Sequence, residues 1–457
     1  MQHSVTLKKA CFLLVFAVMT ACSSHPRQTT GLVDESDPNR TADASASSRI
    51  VRLGKELASG NRAALDQFWD EIQGAHTPLV ESIPGDEQSS LVTFLWPGKA
   101  DTDHVVIIGG VAGTNLPENK MIHLANSDLW YKTYKVRNDA RFVYSLSPND
   151  SMIPIEKIDP KDRAAMHKRL SELQPDPLNP LHDPGGMPSS YVELPGAPPQ
   201  PWITHAADVP KGRVEKLRFQ STILNNDRDV WVYTPPKFAN SGPAYPLLVV
   251  FDGLDYVDTI PVPVILDNLI AHKVIAPMVA ISVGNPTASS RAVELTCSPA
   301  FADFLVKELV PWMQKHYHAT KDAKEVVVGG SSFGGLAAAF AGFMHPEVFG
   351  NVLSQSGSFW WAPDNASEPE WLTKQFASSP RQPIRIFLEA GLMETGASLT
   401  GPSILQSNRN LRGVLMAKDY DVSYHEFNGG HEPLNWRGSF GNGLQYLIGS
   451  SQQRRAQ

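Results

Sequence analysis

Residues Val326–Gly350 read VVVGGSSFGGLAAAFAGFMHPEVFG, a run of valines that gives way at once to glycines and serines. The valines predict a strand buried on both faces, and 334–345 predicts a helix. Only Ser331, Ser332 and Phe333 are left to turn the chain. Gly330 to Gly334 match G-x-S-x-G, in which the central serine sits on a strained strand-to-helix corner with its hydroxyl projecting from the sheet. Flanking glycines remove the Cβ atoms that would clash there. The small residues that follow, Gly335, Ala337–Ala339, Ala341 and Gly342, let the helix lie close against the sheet, with its first amides facing a reacting carbonyl. Ser332 is therefore the candidate nucleophile. A phosphate loop would want Gly-Lys-Ser/Thr or G-x-G-x-x-G, and neither is present. A turn without chemistry, or an esterase fold used only for binding, would share the pentapeptide, so the partners decide.

Around this stretch, VEKLRFQST and RDVWVYTPP suggest an antiparallel pair. YPLLVVFDG, MVAISVG, EVVVGG and IRIFLEAG are near-continuous apolar runs separated by helical segments, among them 301–316 and 334–345. Such alternation predicts an α/β domain on a mostly parallel sheet, over 213–450, of the α/β-hydrolase kind.

In that fold the chain order is Ser, acid, His, each on a loop at one edge of the sheet. Of fourteen histidines, His425 and His431 lie beyond the strand that should present the acid. His425 falls inside VSYHEF, a predicted strand, whereas His431 follows Gly429 and Gly430 at a flexible corner, so His431 is the candidate base. Glu394, in the loop after IRIFLEAG, is favoured over Glu389, within that strand, as the acid that orients the imidazole. The oxyanion hole should combine the amide of Phe333 with that of Gly253 or Leu254. No metal or other cofactor is called for, and GGHEPLNW lacks the second histidine of H-E-x-x-H.

Towards the N-terminus, residues 50–150 predict amphipathic helix (Leu53, Leu57, Leu65, Phe68, Trp69, Ile72) followed by short β-rich segments of a small β-sandwich-like domain. Residues 151–212, with DPLNP at 176–180 and LPGAPPQPW at 194–202, read as an ordered proline-rich linker wrapped over a surface rather than a packed element. Residues 22–49 are polar, a flexible tether. Residues 1–21 carry Lys8 and Lys9, a short apolar run and small residues before Cys22, as in a lipoprotein signal, which makes Cys22 the candidate lipidation site. The run is too short to span a membrane. Cys11 would leave with the signal, so Cys297 remains alone and no internal disulfide is expected. A net charge of −7 without a long basic run argues against a nucleic-acid partner.

The segment GGSSFGGLAAAFAGFMHPEVFGNVLSQSGSFWW, with FDGLDY, RAVELTCSPAFADFLVKELVPW, LEAGLMET, GGHEPLNWRG and the DPLNP stretch, resembles the enterochelin (enterobactin) esterases, over about 80–447. The resemblance implies catalytic roles for Ser332, His431 and Glu394, and a catecholate siderophore as substrate, with iron entering only as part of it. For an anionic, aromatic ligand, Arg291 and Arg437 would supply charge and Phe359, Trp360, Trp361 and Trp436 flat walls. The bland alternatives are core packing for the tryptophans and a pairing of Arg291 with Glu294 or another nearby acid. Another ester, such as a feruloylated or acetylated glycan, and a non-catalytic siderophore-binding lipoprotein are the competing functions. The resemblance implies a two-domain enzyme of a kind typically cytoplasmic and without an export signal, and the start of this chain departs from that pattern. The signal here would place the enzyme on the periplasmic side of a bacterial membrane as a lipid-anchored protein, on the outer membrane because Ser23 rather than aspartate follows Cys22.

Overall fold

The computed structural model describes residues 47–113, 115–159, 162–396 and 401–449. The signal, most of the tether and Cys22 lie outside them. Two units are distinguished, one running to Pro198 and including Asn428–Leu434, the other comprising Pro199–Phe427 and the chain from Asn435.

In the first unit, helices α1 (Ser48–Ala58) and α2 (Ala63–Ala75) open the chain, and the Ser47 hydroxyl caps α1 by accepting the Ile50 amide at 3.3 Å. Helical spacing puts Ile50, Leu53 and Leu57 on one face, where they join Phe68, Ile72, Leu79, Leu95 and Leu129 in a core cluster. Strands β1 (Leu79–Ile83), β2 (Asp86–Pro97), β4 (Ile122–His123) and β5 (Leu129–Arg137) form an antiparallel sheet in the order β1-β2-β5-β4. A three-stranded sheet follows the order β3 (Val105–Ile108), β6 (Arg141–Pro148), β7 (Ser190–Glu193). The expected β-rich domain is present as two antiparallel sheets.

Residues 151–212 depart from the expected linker. They hold helix α3 (Arg163–Ser171) and β7, which pairs with β6 from Arg141↔Glu193 to Tyr144↔Ser190, and the unit boundary falls at Pro198 rather than at 212. DPLNP is bolted into the unit's interior. The fully buried Asp176 carboxylate accepts from Thr77 Oγ1 and Tyr144 OH, both at 2.7 Å, and from the Leu178 amide at 2.9 Å. Proline removes amide donors without preventing side chains from satisfying a buried polar site, so proline content misleads here.

The second unit is built on an eight-stranded sheet in the order β8-β9-β11-β10-β12-β13-β14-β15. Here β8 is Arg213–Ser221, β9 Asn226–Thr234, β10 Leu247–Val250, β11 Val279–Val283, β12 Val326–Ser331, β13 Asn351–Gln355, β14 Arg385–Gly391 and β15 Asp421–Phe427. β8, β9 and β11 are antiparallel neighbours, and from β11 to β15 every pairing is parallel. Strands β10 to β13 are buried along their whole length, as the apolar runs predicted. Helices α4 (Val262–Ala271), α5 (Ala288–Glu294), α6 (Pro299–Phe304), α7 (Val310–His316), α8 (Phe333–Met344), α9 (Trp371–Ser378), α10 (Ile404–Ala417) and α11 (Pro433–Ile448) intervene or follow. The predicted helix over 301–316 is α6 and α7 joined through a π-turn, Leu305–Leu309. Parallel strands end at one sheet edge, so the chain leaves β10, β12, β14 and β15 on the side where ligands bind in open α/β sheets. No helix among the described residues is long and apolar enough to cross a membrane.

Candidate active site

Ser332 lies between β12 and α8 with φ 58° and ψ −124°, a conformation that costs an L-residue with a side chain and persists only when its surroundings fix it. They do so on several sides. The Ser332 amide donates to Gln355 O at 3.0 Å, and Ser332 O accepts the amides of Leu336 and Ser358, both at 3.1 Å. The Ser332 and Ser358 hydroxyls are 3.4 Å apart. A Cβ on Gly330 would lie 2.7 Å from the Gly334 carbonyl carbon, and one on Gly335 2.6 Å from Ser354 Oγ, so the small residues are what let strand and helix close the corner. With the Ser332 side chain not capping α8, the Phe333 amide stands at the first helical position, where no carbonyl of its own helix can accept it.

Of the two residues named for the second oxyanion amide, one has its amide engaged. Gly253 donates its amide to Val283 O at 3.0 Å, which commits it to the sheet edge and corrects the expectation that it could serve. Leu254 is 38% exposed, and among the described residues its amide makes no backbone hydrogen bond. Asp252 and Gly253 both adopt left-handed backbone, φ 62° and 52°. A Cβ on Gly253 would approach Gly284 Cα to 2.8 Å, so the loop turns there without a side chain.

Glu394 follows β14, 6% exposed, and its Oε2 accepts the Gly391 amide at 2.7 Å. Glu389, within β14 itself, is 1% exposed, and its Oε1 accepts from Ser439 Oγ at 2.6 Å and Gln355 Nε2 at 2.7 Å. Burial pushes the Glu389 carboxyl up from 4.5 to about 7 against these hydrogen bonds. His425 is a β15 residue stacked on Phe387, its Nε2 2.8 Å from Ser423 Oγ. His431 lies on Asn428–Leu434, which is grouped with the first unit. There the Arg141 amide donates to Asn428 O at 2.9 Å, Asn428 Nδ2 to Asp139 Oδ1 at 2.8 Å, and the Gly430 amide to Glu432 Oε1 at 3.2 Å.

Arg291 is in a two-pronged ion pair with Asp252, Nε to Oδ1 at 2.6 Å and Nη2 to Oδ2 at 2.8 Å, with its guanidinium 5.8 Å from the Phe333 ring centroid. The nearby acid is thus Asp252; Glu294 pairs instead with Arg228. Trp436 is a core residue rather than a ligand wall, 4% exposed with its Nε1 donating to Ser356 Oγ at 3.0 Å. Phe359 is fully buried, Trp360 packs 6.0 Å from Phe333 at 6% exposure, and Trp361 is half-buried. Arg437 Nε donates to Gln200 Oε1 at 3.0 Å. The structure therefore gathers Ser332, Phe333, Ser358, Asp252 and Arg291 around one corner. Asp252 and Ser358 escaped the sequence reading; an acid preceding glycine after a buried strand was the available signal for the first. Among the described residues no group of three or more His, Cys, Asp or Glu could hold a metal ion.

A serine on a strained corner at the parallel edge of this sheet, backed by an open helix start, defines an esterase-type α/β hydrolase. Residues 221–447 match the family model "Putative esterase", and residues 91–203 match "Enterochelin esterase, N-terminal". The iron(III) enterobactin esterase of Escherichia coli O6:H1 (strain CFT073) is 31% identical over 370 residues, 79% of this chain and 88% of the relative. The iron(III) salmochelin esterase of the same strain is 27% identical over 422 residues, 88% of this chain and 98% of the relative. Among solved structures, ferric enterobactin esterase from Salmonella typhimurium matches with a TM-score of 0.69 at 27% identity, covering 82% of this chain and 98% of that one. Enterobactin esterase from Shigella flexneri, in the presence of enterobactin, matches with a TM-score of 0.66 at 28% identity, covering 81% and 96%. The chain belongs to the enterochelin (enterobactin) esterase family, whose members are ester hydrolases.

Proposed function

We propose that this protein is a serine esterase that hydrolyses the trilactone ester bonds of enterobactin-type catecholate siderophores, with the ferric form as substrate, and so contributes to iron release. The observation that carries the reading is the strained Ser332 corner in a chain that aligns with 88% of an iron(III) enterobactin esterase. Ser332 Oγ attacks the ester carbonyl carbon while His431 accepts its proton. The oxyanion is held by the amides of Phe333 and Leu254, and collapse expels the alkoxide, which takes the proton back from His431. Water, deprotonated by His431, then attacks the acyl-enzyme and Ser332 leaves with the proton. Glu394 holds the imidazolium. Its rival Glu389 is engaged by Ser439 and Gln355, which supports this choice. Of the residues named for the substrate, Trp361 is the half-buried aromatic and the one retained here as a catechol wall.

Ferric enterobactin incubated with wild-type protein should give linear and shorter dihydroxybenzoylserine products on time-resolved chromatography. Ser332→Ala should give none while still binding the ligand, because one deleted hydroxyl removes the nucleophile and no charge. Turnover by Ser332→Ala within tenfold of wild type defeats the assignment, and preference for a simple feruloyl ester over the trilactone defeats the substrate class.

The same reading extends to the N-terminus. Acylation at Cys22 would hold the enzyme on the periplasmic side of a membrane, the outer one by its Ser23, so that hydrolysis precedes inner-membrane transport.

A further inference from the structure

Helix α5 carries two two-pronged guanidinium–carboxylate pairs of opposite polarity, one from its last residue and one from its middle. At its C-terminal end Glu294 accepts from Arg228 on β9, Nη1 to Oε2 at 3.0 Å and Nη2 to Oε1 at 2.8 Å. The Arg228 side chain is fully buried, its guanidinium 4.8 Å from the Phe304 ring centroid and its Nη2 also donating to Asn226 Oδ1 at 2.9 Å. One turn earlier α5 gives Arg291 to Asp252, both nearly buried. At its start the Thr287 and Ser290 hydroxyls close a capping box, which fixes the helix entry. Planar two-pronged pairs fix orientation as well as distance, and a buried one resists rearrangement because either charge alone would be stranded.

The receiving end is the loop whose backbone is left-handed at Asp252 and Gly253 and which next presents Leu254. Asn285 Nδ2 donates to Asp252 Oδ1 at 2.9 Å, and Ser282 Oγ to Gly253 O at 2.7 Å, so the loop is held by its side chain, its amide and its carbonyl. Such tethering is what an amide needs if it is to stay aimed at a charge that exists only in the transition state.

We propose that Arg228 and Asp252 are positioning residues for the oxyanion hole: Arg228 sets α5 through Glu294, α5 sets Arg291, and Arg291 through Asp252 sets the Leu254 amide. This rests on the nucleophile and oxyanion assignments above. It gives Arg291 a role inside the protein, so its charge is spent on the loop before any ligand arrives.

The test uses the full-length protein with a small neutral ester, p-nitrophenyl acetate, and a trifluoromethyl ketone, whose serine adduct carries the oxyanion. Asp252→Ala should lower kcat on the order of a hundredfold, the cost of losing one oxyanion donor, with KM nearly unchanged. The ketone's Ki should rise by the same factor. Arg291→Ala should do the same, and the double variant should be no worse than either single one, as expected of two residues acting through one contact. Arg228→Lys, which keeps the charge but not the fork, should lose about tenfold in kcat and follow the same line of Ki against kcat/KM. Asp252→Asn retains the Asn285 acceptor and serves as the milder variant should alanine prevent folding; it should fall between wild type and Asp252→Ala. An unchanged ketone Ki, a loss confined to KM, or additive effects of Asp252→Ala and Arg291→Ala overturn the proposal. If Ser332→Ala also remains active, the site assignment has failed; if Ser332→Ala is dead while Asp252→Ala behaves as wild type, this inference alone has failed.

Discussion

Gln355 and Glu389 are register partners on the adjacent parallel strands β13 and β14, and Gln355 Nε2 donates to Glu389 Oε1 at 2.7 Å. The same nitrogen is 2.8 Å from Trp436 O. Glu389 thereby belongs to a buried network joining two strands to α11, while Glu394 stands after the strand end. Glu394→Gln should lower kcat/KM by about a hundredfold or more, since an amide neither fixes the tautomer as the acid does nor stabilises imidazolium. Glu389→Gln should stay within tenfold of wild type. Steady-state kinetics on ferric enterobactin with both variants checks the pair, and the reverse ranking would exchange their roles.

Glu389 also makes stability depend on pH. Its carboxyl titrates at about 7 in the folded protein against 4.5 ordinarily, chiefly because it is buried. Between those values the folded state keeps a proton that the unfolded chain has lost, so this group's contribution to stability falls as pH rises through the window and is level above it. Glu389→Gln has no such proton. Thermal melts from pH 4.5 to 8 should show the variant gaining on wild type up to about pH 7 and then running parallel.

Gly335→Ala should destabilise the second unit by about 1–3 kcal/mol, the usual cost of forcing extra volume into a packed site. The new methyl would meet Gly357 Cα at 3.1 Å and Gly330 O at 3.2 Å as well as Ser354 Oγ, and backbone atoms cannot swing aside. Because these residues surround Ser332, activity should fall at temperatures well below the melt. Differential scanning calorimetry with parallel assays will register both effects.

Cys22→Ala should move the protein from the membrane fraction to the soluble periplasm without changing kcat, because the anchor and the chemistry occupy different parts of the chain. Fractionation after osmotic shock checks this. A wild-type protein already soluble there would contradict the anchor.

The catalytic half was legible because its signals are local. A valine strand, a glycine corner and an alanine helix are contiguous, and β12, Ser332 and α8 stand where they predicted. Glu394 after the end of β14 and Glu389 within it stand where the sequence placed them. What could not be read were long-range pairings, in which residues far apart in sequence choose among several acids. Arg291 had Glu294 three residues away, a spacing at which helical side chains can meet, yet each is taken by a partner distant in sequence, Asp252 and Arg228. Trp436 looked like a ligand wall from its neighbours and is core because α11 faces the sheet. The 151–212 stretch misled for a related reason, since its order comes from Asp176 meeting Thr77 and Tyr144.

Chain order and spatial grouping part company at Asn428–Leu434, and this bears on how the protein can be cut. A fragment begun at Pro199 would keep Asn428, 4% exposed, but delete Asp139 and Arg141, which receive its amide and fill its carbonyl. Two hydrogen bonds, the Asn428–Asp139 one part-buried, would be lost beside His431, at the junction of β15 and α11. Cutting the chain at Pro199 thus separates Asn428–Leu434 from the partners that hold it within its own unit, so a fragment chosen by chain order alone does not follow the spatial grouping.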